Sequence, residues 1–129
     1  MASPAGVVTV PSPYSVAETL DRLQTSLAEH GTKVFARIDQ AAEARAVGLS
    51  MPEIQLLIFG NPKGGTPIML AEPLAALDLP LKALAWQDHE GLVFVSYNES
   101  AYLGDRFNLS AELVKPISGL GNLIEQVLR

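Results

Sequence analysis

The apolar positions of this 129-residue chain change period several times, and each change marks an element. Val7-Val-Thr-Val10 reads as a short first strand, closed by Pro11 and Pro13. Behind it, Val16, Leu20, Leu23 and Leu27 recur at four-three-four spacing, the single stripe of a helix lying on a core. Ser15-Val-Ala-Glu18 is a capping-box pattern, and Gly31 supplies the left-handed residue that ends the helix. From Thr32 to Asp39 the period falls to two, with Val34, Ala36 and Ile38 set against Lys33, Phe35 and Arg37. That alternation predicts a strand. Asp39 can then cap a short helix, Gln40 to Val47, which Gly48 stops.

Ile54 to Phe59 is nearly all apolar and predicts a strand buried on both faces. It runs into Gly60-Asn-Pro-Lys-Gly-Gly-Thr-Pro67, the densest run of turn formers in the chain. Thr66 and Pro67 together predict a helix start, a hydroxyl cap followed by proline at the first position. That helix extends to about Leu77 and is broken at Pro73. Leu81 to Trp86 and Leu92 to Tyr97, joined by Gln87 to Gly91, predict a hairpin. Asn98 caps a short helical stretch through Arg106. Leu113, Ile117, Leu120, Ile124 and Val127 keep helical spacing to the end, although Pro116, Gly119 and Gly121 divide the segment into two pieces.

The order is therefore β-α-β-α-β-α-β-β-α. It predicts an α+β, two-layer fold with a five-stranded mixed sheet. Early βαβ units give right-handed crossovers, the C-terminal half holds an antiparallel hairpin, and helices pack mainly on one face. Residues 1–6 read as a flexible leader and 7–129 as a single domain.

Composition narrows the function classes. Only 18% of residues are charged and 48% are apolar, which fits either a large core or a surface covered by a partner. Nine basic residues scattered among fourteen acidic ones make no phosphate-neutralising footprint, so nucleic acid is not an expected partner. The absence of cysteine removes disulfides, thiolate nucleophiles and cysteine-ligated metals. Met1 to Gly6 carries no basic region of a signal peptide. The longest apolar runs are about a third of the roughly 20 residues a membrane span needs. A cytoplasmic domain without membrane contact is the expectation.

Among the candidate sites, the Gly60–Pro67 segment leads. A strand entering a glycine-rich turn and then a helix N-terminus can present free amides and positive dipole potential to an anion. Asn61, Lys63, Gly64, Gly65 and Thr66 are its expected ligand-binding residues, although the same residues also make an ordinary tight turn. The segment is neither a Walker A loop nor a Rossmann fingerprint. Tyr97, Tyr102 and Arg106 are expected to add aromatic walls and a cation, with Tyr102 and Arg106 four apart on one helix face. Asp88-His89-Glu90 lies at the hairpin tip, where a solvated turn accounts for it, and His30 suits a helix C-terminus. Two histidines so placed give no metal site of the usual kind, and no cofactor is expected.

Five segments recur here in a characteristic order: Phe35-Ala-Arg-Ile-Asp39, Phe59-Gly-Asn-Pro-Lys63, Gly65-Thr-Pro67, Ala76-Leu-Asp-Leu-Pro80 and Val95-Ser-Tyr-Asn98 followed by Tyr102-Leu103. Over essentially the whole chain this resembles the bacterial and archaeal family called domain of unknown function 302. The resemblance implies a compact α/β fold with a mixed sheet, often homodimeric, and no defined reaction. Family members often carry histidine where this chain has Gln40 and Phe107. Chemistry resting on either histidine would be missing here. The expected function is a homodimeric module binding a small anionic or polar ligand. The alternatives are an enzyme using Asp39, Asp78 or Asp88 with Lys63, and a protein-interaction module.

Overall fold

The sheet is built against the stripe of the first helix. In the computed structural model, which describes residues 3–129, this helix, α1 (Val16–Glu29), buries Val16, Leu20, Leu23 and Leu27. Ser15 caps it by accepting the Glu18 amide at 3.1 Å. Glu18 itself turns to Arg22 at 3.1 Å, so only half of the capping box forms. Gly31 ends the helix with φ +72°.

Five strands follow in one sheet: β1 (Val7–Ser12), β2 (Lys33–Asp39), β3 (Ile54–Gly60), β4 (Leu81–Gln87) and β5 (Val93–Asn98). Their spatial order is β1-β5-β4-β3-β2, and every pairing is antiparallel. The mixed sheet expected from the sequence is thus corrected. β1 and β2 do run in the same direction, but α1 carries the chain from one sheet edge to the other. Three strands stand between them, so the β1-α1-β2 unit makes no parallel hydrogen bonds. The expectation failed because it took consecutive strands for neighbours.

The pleat divides the sheet into two unlike faces. Leu57, Phe59, Ala83, Ala85 and Val95 point to the side that α1 covers and form the core with it. The last helix, α6 (Leu120–Val127), adds Leu120 and Ile124 to the same cluster. On the opposite face Leu56, Ile58, Leu84, Trp86 and Phe94 are only half-buried. β3 is therefore buried on one face and partly open on the other, not buried on both as its continuous apolar run suggested.

Local chemistry sets the shorter elements. Asp39 accepts the Ala42 amide at 2.9 Å and starts α2 (Gln40–Ala46), which ends before Gly48 at φ +81°. The hairpin of β4 and β5 forms as expected, with Trp86 paired to Phe94 across it. Asn98 is the last residue of β5 rather than a cap. Glu99 precedes α4 (Ser100–Arg106) without a side-chain bond to it. The C-terminal segment splits as expected, with α5 (Ala111–Val114) and a 3-10 turn at Lys115–Ile117 ahead of α6. Of the expected leader, Met1 and Ala2 lie outside the described residues. Pro4 accepts the Val7 amide at 3.1 Å and Gly6 accepts the Glu99 amide at 2.9 Å.

Candidate ligand cleft

The glycine-rich segment is a helix, not a loop. α3 (Pro62–Ala71) starts five residues earlier than expected, with Asn61 as its cap and Pro62 at its first position. Asn-Pro is as good a start as Thr-Pro, and the earlier pair prevails. The Asn61 side chain accepts the Lys63 amide at 3.0 Å. The Asn61 carbonyl accepts the amides of Gly64 at 2.9 Å and Gly65 at 3.0 Å. Pro62 has no N–H. The amides expected to face an anion are therefore already paired inside the protein. Thr66 lies within the helix and caps nothing, and Pro67 sits in its interior. Glu72 then ends α3 and caps a 3-10 turn at Pro73–Leu77, which is the break expected at Pro73.

Gly64 explains why a glycine is tolerated in this helix. A Cβ there would lie 3.1 Å from the Cβ of Pro116, so α3 sits closely against the turn before α6. Where these two elements meet the sheet they enclose a cleft of about 500 Å³. Its walls are largely apolar, including Phe35, Phe59, Met69, Leu81, Pro116 and Leu123. Polar groups reach it from His30, Thr32, Asn61, Thr66, Asn122 and Gln126. Among the described residues, no Asp, Glu, Lys or Arg lines it. His30 holds its ring in place with Nδ1 2.7 Å from the Ser26 carbonyl, so Nδ1 carries the proton and Nε2 is left without it in the neutral ring.

The expected site residues separate into two groups. Asn61, Gly64, Gly65 and Thr66 line the cleft, while Lys63 is exposed and does not. Tyr97, Tyr102 and Arg106 lie outside it. Tyr97 is on the covered sheet face, with its hydroxyl beneath Gly121 of α6. Burial, helped by Glu125 and Glu99, pushes that hydroxyl's pKa above its ordinary value of 10.0. Tyr102 packs against Gly6, and Arg106 donates to Asp78 at 2.7 Å with its guanidinium 5.0 Å from the Phe107 ring.

The carboxylates proposed for acid–base work are dispersed. The register puts Asp39 opposite Gln55 and Lys33 opposite Gly60, so Asp39 and Lys63 stand at opposite ends of the sheet. Asp88 accepts the amides of Glu90 and Leu92, both at 2.9 Å, and shapes the hairpin turn. Among the described residues, no three of His, Cys, Asp and Glu gather as a metal site would need. The residues that sequence reasoning missed are Phe35, His30 and the Pro116–Gln126 wall. Pro116 and Gly119 were the signals there, and both were read only as breaks.

The family model "Domain of unknown function DUF302" matches residues 8–127. The chain belongs to the DUF302 family. A crystal structure of an uncharacterized conserved DUF302 protein from Bacillus stearothermophilus has the same fold, with a TM-score of 0.78 over 97% of each chain at 20% identity. Two relatives are named fluoride-specific ion channel FluC 1, from Brucella suis and Brucella abortus. Each is 44% identical to this DUF302 domain over 105 residues, or 81% of the chain. The matched part is 41% and 39% of those proteins, so the domain spans about two-fifths of their length. No helix among the described residues is long and apolar enough to cross a membrane.

Proposed function

We propose that this DUF302 domain is a small-molecule-binding module, working as a homodimer, whose ligand is uncharged with an apolar body and a hydrogen-bonding edge. The observation that carries this is the cleft beside α3. Its volume lies within the roughly 300–1,000 Å³ typical of ligand sites, and a few polar groups converge on apolar walls. An anion is disfavoured, because Asn61 occupies the amides of α3 and Lys63 stays outside. The homodimer is supported by the open sheet face. Leu56, Leu84, Trp86 and Phe94 lie together there, and a second sheet packed face to face would bury them.

A thermal-shift panel tests the ligand class. Neutral heteroaromatic compounds at millimolar concentration should raise the unfolding midpoint, and phosphate and acetate should not. Stabilisation by the anions alone would reverse the assignment.

The Brucella relatives favour a second reading, in which the domain serves a fluoride channel as a partner module. On that reading, fluoride added to the isolated domain leaves its amide spectrum unchanged. Saturable shifts at Lys63 to Gly65 would instead mean that the domain binds the ion.

A further inference from the structure

Glycine has two ordinary reasons to be kept, a backbone with positive φ or a neighbour too close for a Cβ. Of the ten glycines in the chain, four have positive φ and four others would set a Cβ 3.4 Å or less from a neighbour. Two remain. A Cβ on Gly65 would meet only the flexible end of Met69, at 3.9 Å, and one on Gly119 would meet nothing within 4 Å. Gly119 has φ −86° and ψ −2°, and Gly65 lies inside α3, so any residue fits either backbone. Glycine inside a helix, as at Gly65, is also less favourable than alanine. Gly119 stands at the N-cap of α6, a place that glycine fills better than alanine. Packing accounts for neither residue, nothing in the fold accounts for Gly65, and both line the cleft.

From this we infer that Gly65 and Gly119 are the specificity-determining positions of the cleft, and that they keep a slot open for a flat, neutral ring lying against bare backbone. The inference rests on the reading of the cleft as a ligand site and adds the shape of the occupant. Gly65 lines the cleft from α3 and Gly119 from the start of α6. The added carbon of an alanine would meet open space at Gly119 and only the flexible end of Met69 at Gly65, so each would take up room the cleft now leaves free. The rings of Phe35, Phe59, Pro62 and Pro116 among the walls suit a planar ligand. Thr66, Asn122 and Gln126 supply donors and acceptors for its edge and no charge.

The test uses indole as the flat probe and 1-adamantanol as a neutral, non-planar one. Binding is followed by amide shifts in the unmodified domain, in Gly65→Ala and in Gly119→Ala. Gly65→Ala should unfold at the same temperature as the parent or slightly higher, since alanine restricts the unfolded chain, and Gly119→Ala slightly lower, since alanine is the weaker cap. Indole should bind each at least about fivefold more weakly, and 1-adamantanol should bind the parent more weakly than indole does. Unchanged indole binding in both variants overturns the slot while leaving the cleft as a ligand site. So does a lowered unfolding temperature of Gly65→Ala, which would make that glycine a packing residue, or a preference for 1-adamantanol. If neither probe binds the parent, the reading of the cleft falls and this inference falls with it.

Discussion

Leu56 and Leu57 are neighbours in β3, yet they live on opposite faces of the sheet and in different environments. Leu57 is fully buried beneath α1, whereas Leu56 is half-buried on the side where no residue of the sheet is fully enclosed. The covered face is a closed core of leucine, valine, alanine and phenylalanine. The open face has comparable side chains but no helix packed to the same depth. An apolar strand therefore does not reveal by itself whether its second face meets a helix, a second protein or water.

The contrast can be broken most sharply at these two leucines. Leu57→Ala should lower the unfolding free energy by about 2–5 kcal/mol in chemical denaturation, since it leaves a cavity at a fully buried position. On the proposed dimer, the parent should sediment as a dimer at micromolar concentration and Leu56→Asp as a folded monomer. A Leu56→Asp protein that still sediments as a dimer would move the interface off the open face.

A middle-sized effect is expected at the polar margin of the covered face. Arg37 donates to Gln55 at 2.9 Å, to Asp21 at 2.6 Å and to the Ala17 carbonyl at 3.0 Å, joining β2 to α1. Gln55 is only 8% exposed. Arg37→Met removes its Nε donor and should cost about 1–3 kcal/mol, read from the same denaturation curves.

The smallest effect should come from Tyr97, at the end of the covered face. Its pKa is raised in the fold, so the fold favours the protonated hydroxyl. That contribution is complete below the ordinary tyrosine value and is lost as pH rises through the folded one. Calorimetry between about pH 9 and pH 11 should show the unfolding temperature falling, with a shallower fall in Tyr97→Phe.

Much of the architecture was legible because it is locally encoded. Ser15, Asp39 and Gly31 punctuate their elements through bonds and dihedrals that involve only near neighbours. Strand order was not, since the pairing of Val7 with Asn98 leaves no trace in either segment. The same distinction governs the site. Gly64, Gly65 and Thr66 could be singled out by composition, and they do line the cleft. Their being helical could not be read, because Asn61-Pro62 and Thr66-Pro67 are competing starts and the contact with Pro116 is long-range. Tyr102 and Arg106 were rightly put on one helix, but the partners that hold them, Gly6 and Asp78, lie far away in sequence.

The strand order also decides how copies of this protein can meet. It leaves β1 and β2 as the two free borders of the sheet, where an incoming strand would otherwise find unpaired amides and carbonyls. β1 carries Pro11, which has no amide to offer, and β2 is bulged between Val34 and Ala36 beside Lys33. Both borders are poor templates for added strands. Both features work against growth into a continuous ribbon, the route by which exposed strand edges join one chain to the next.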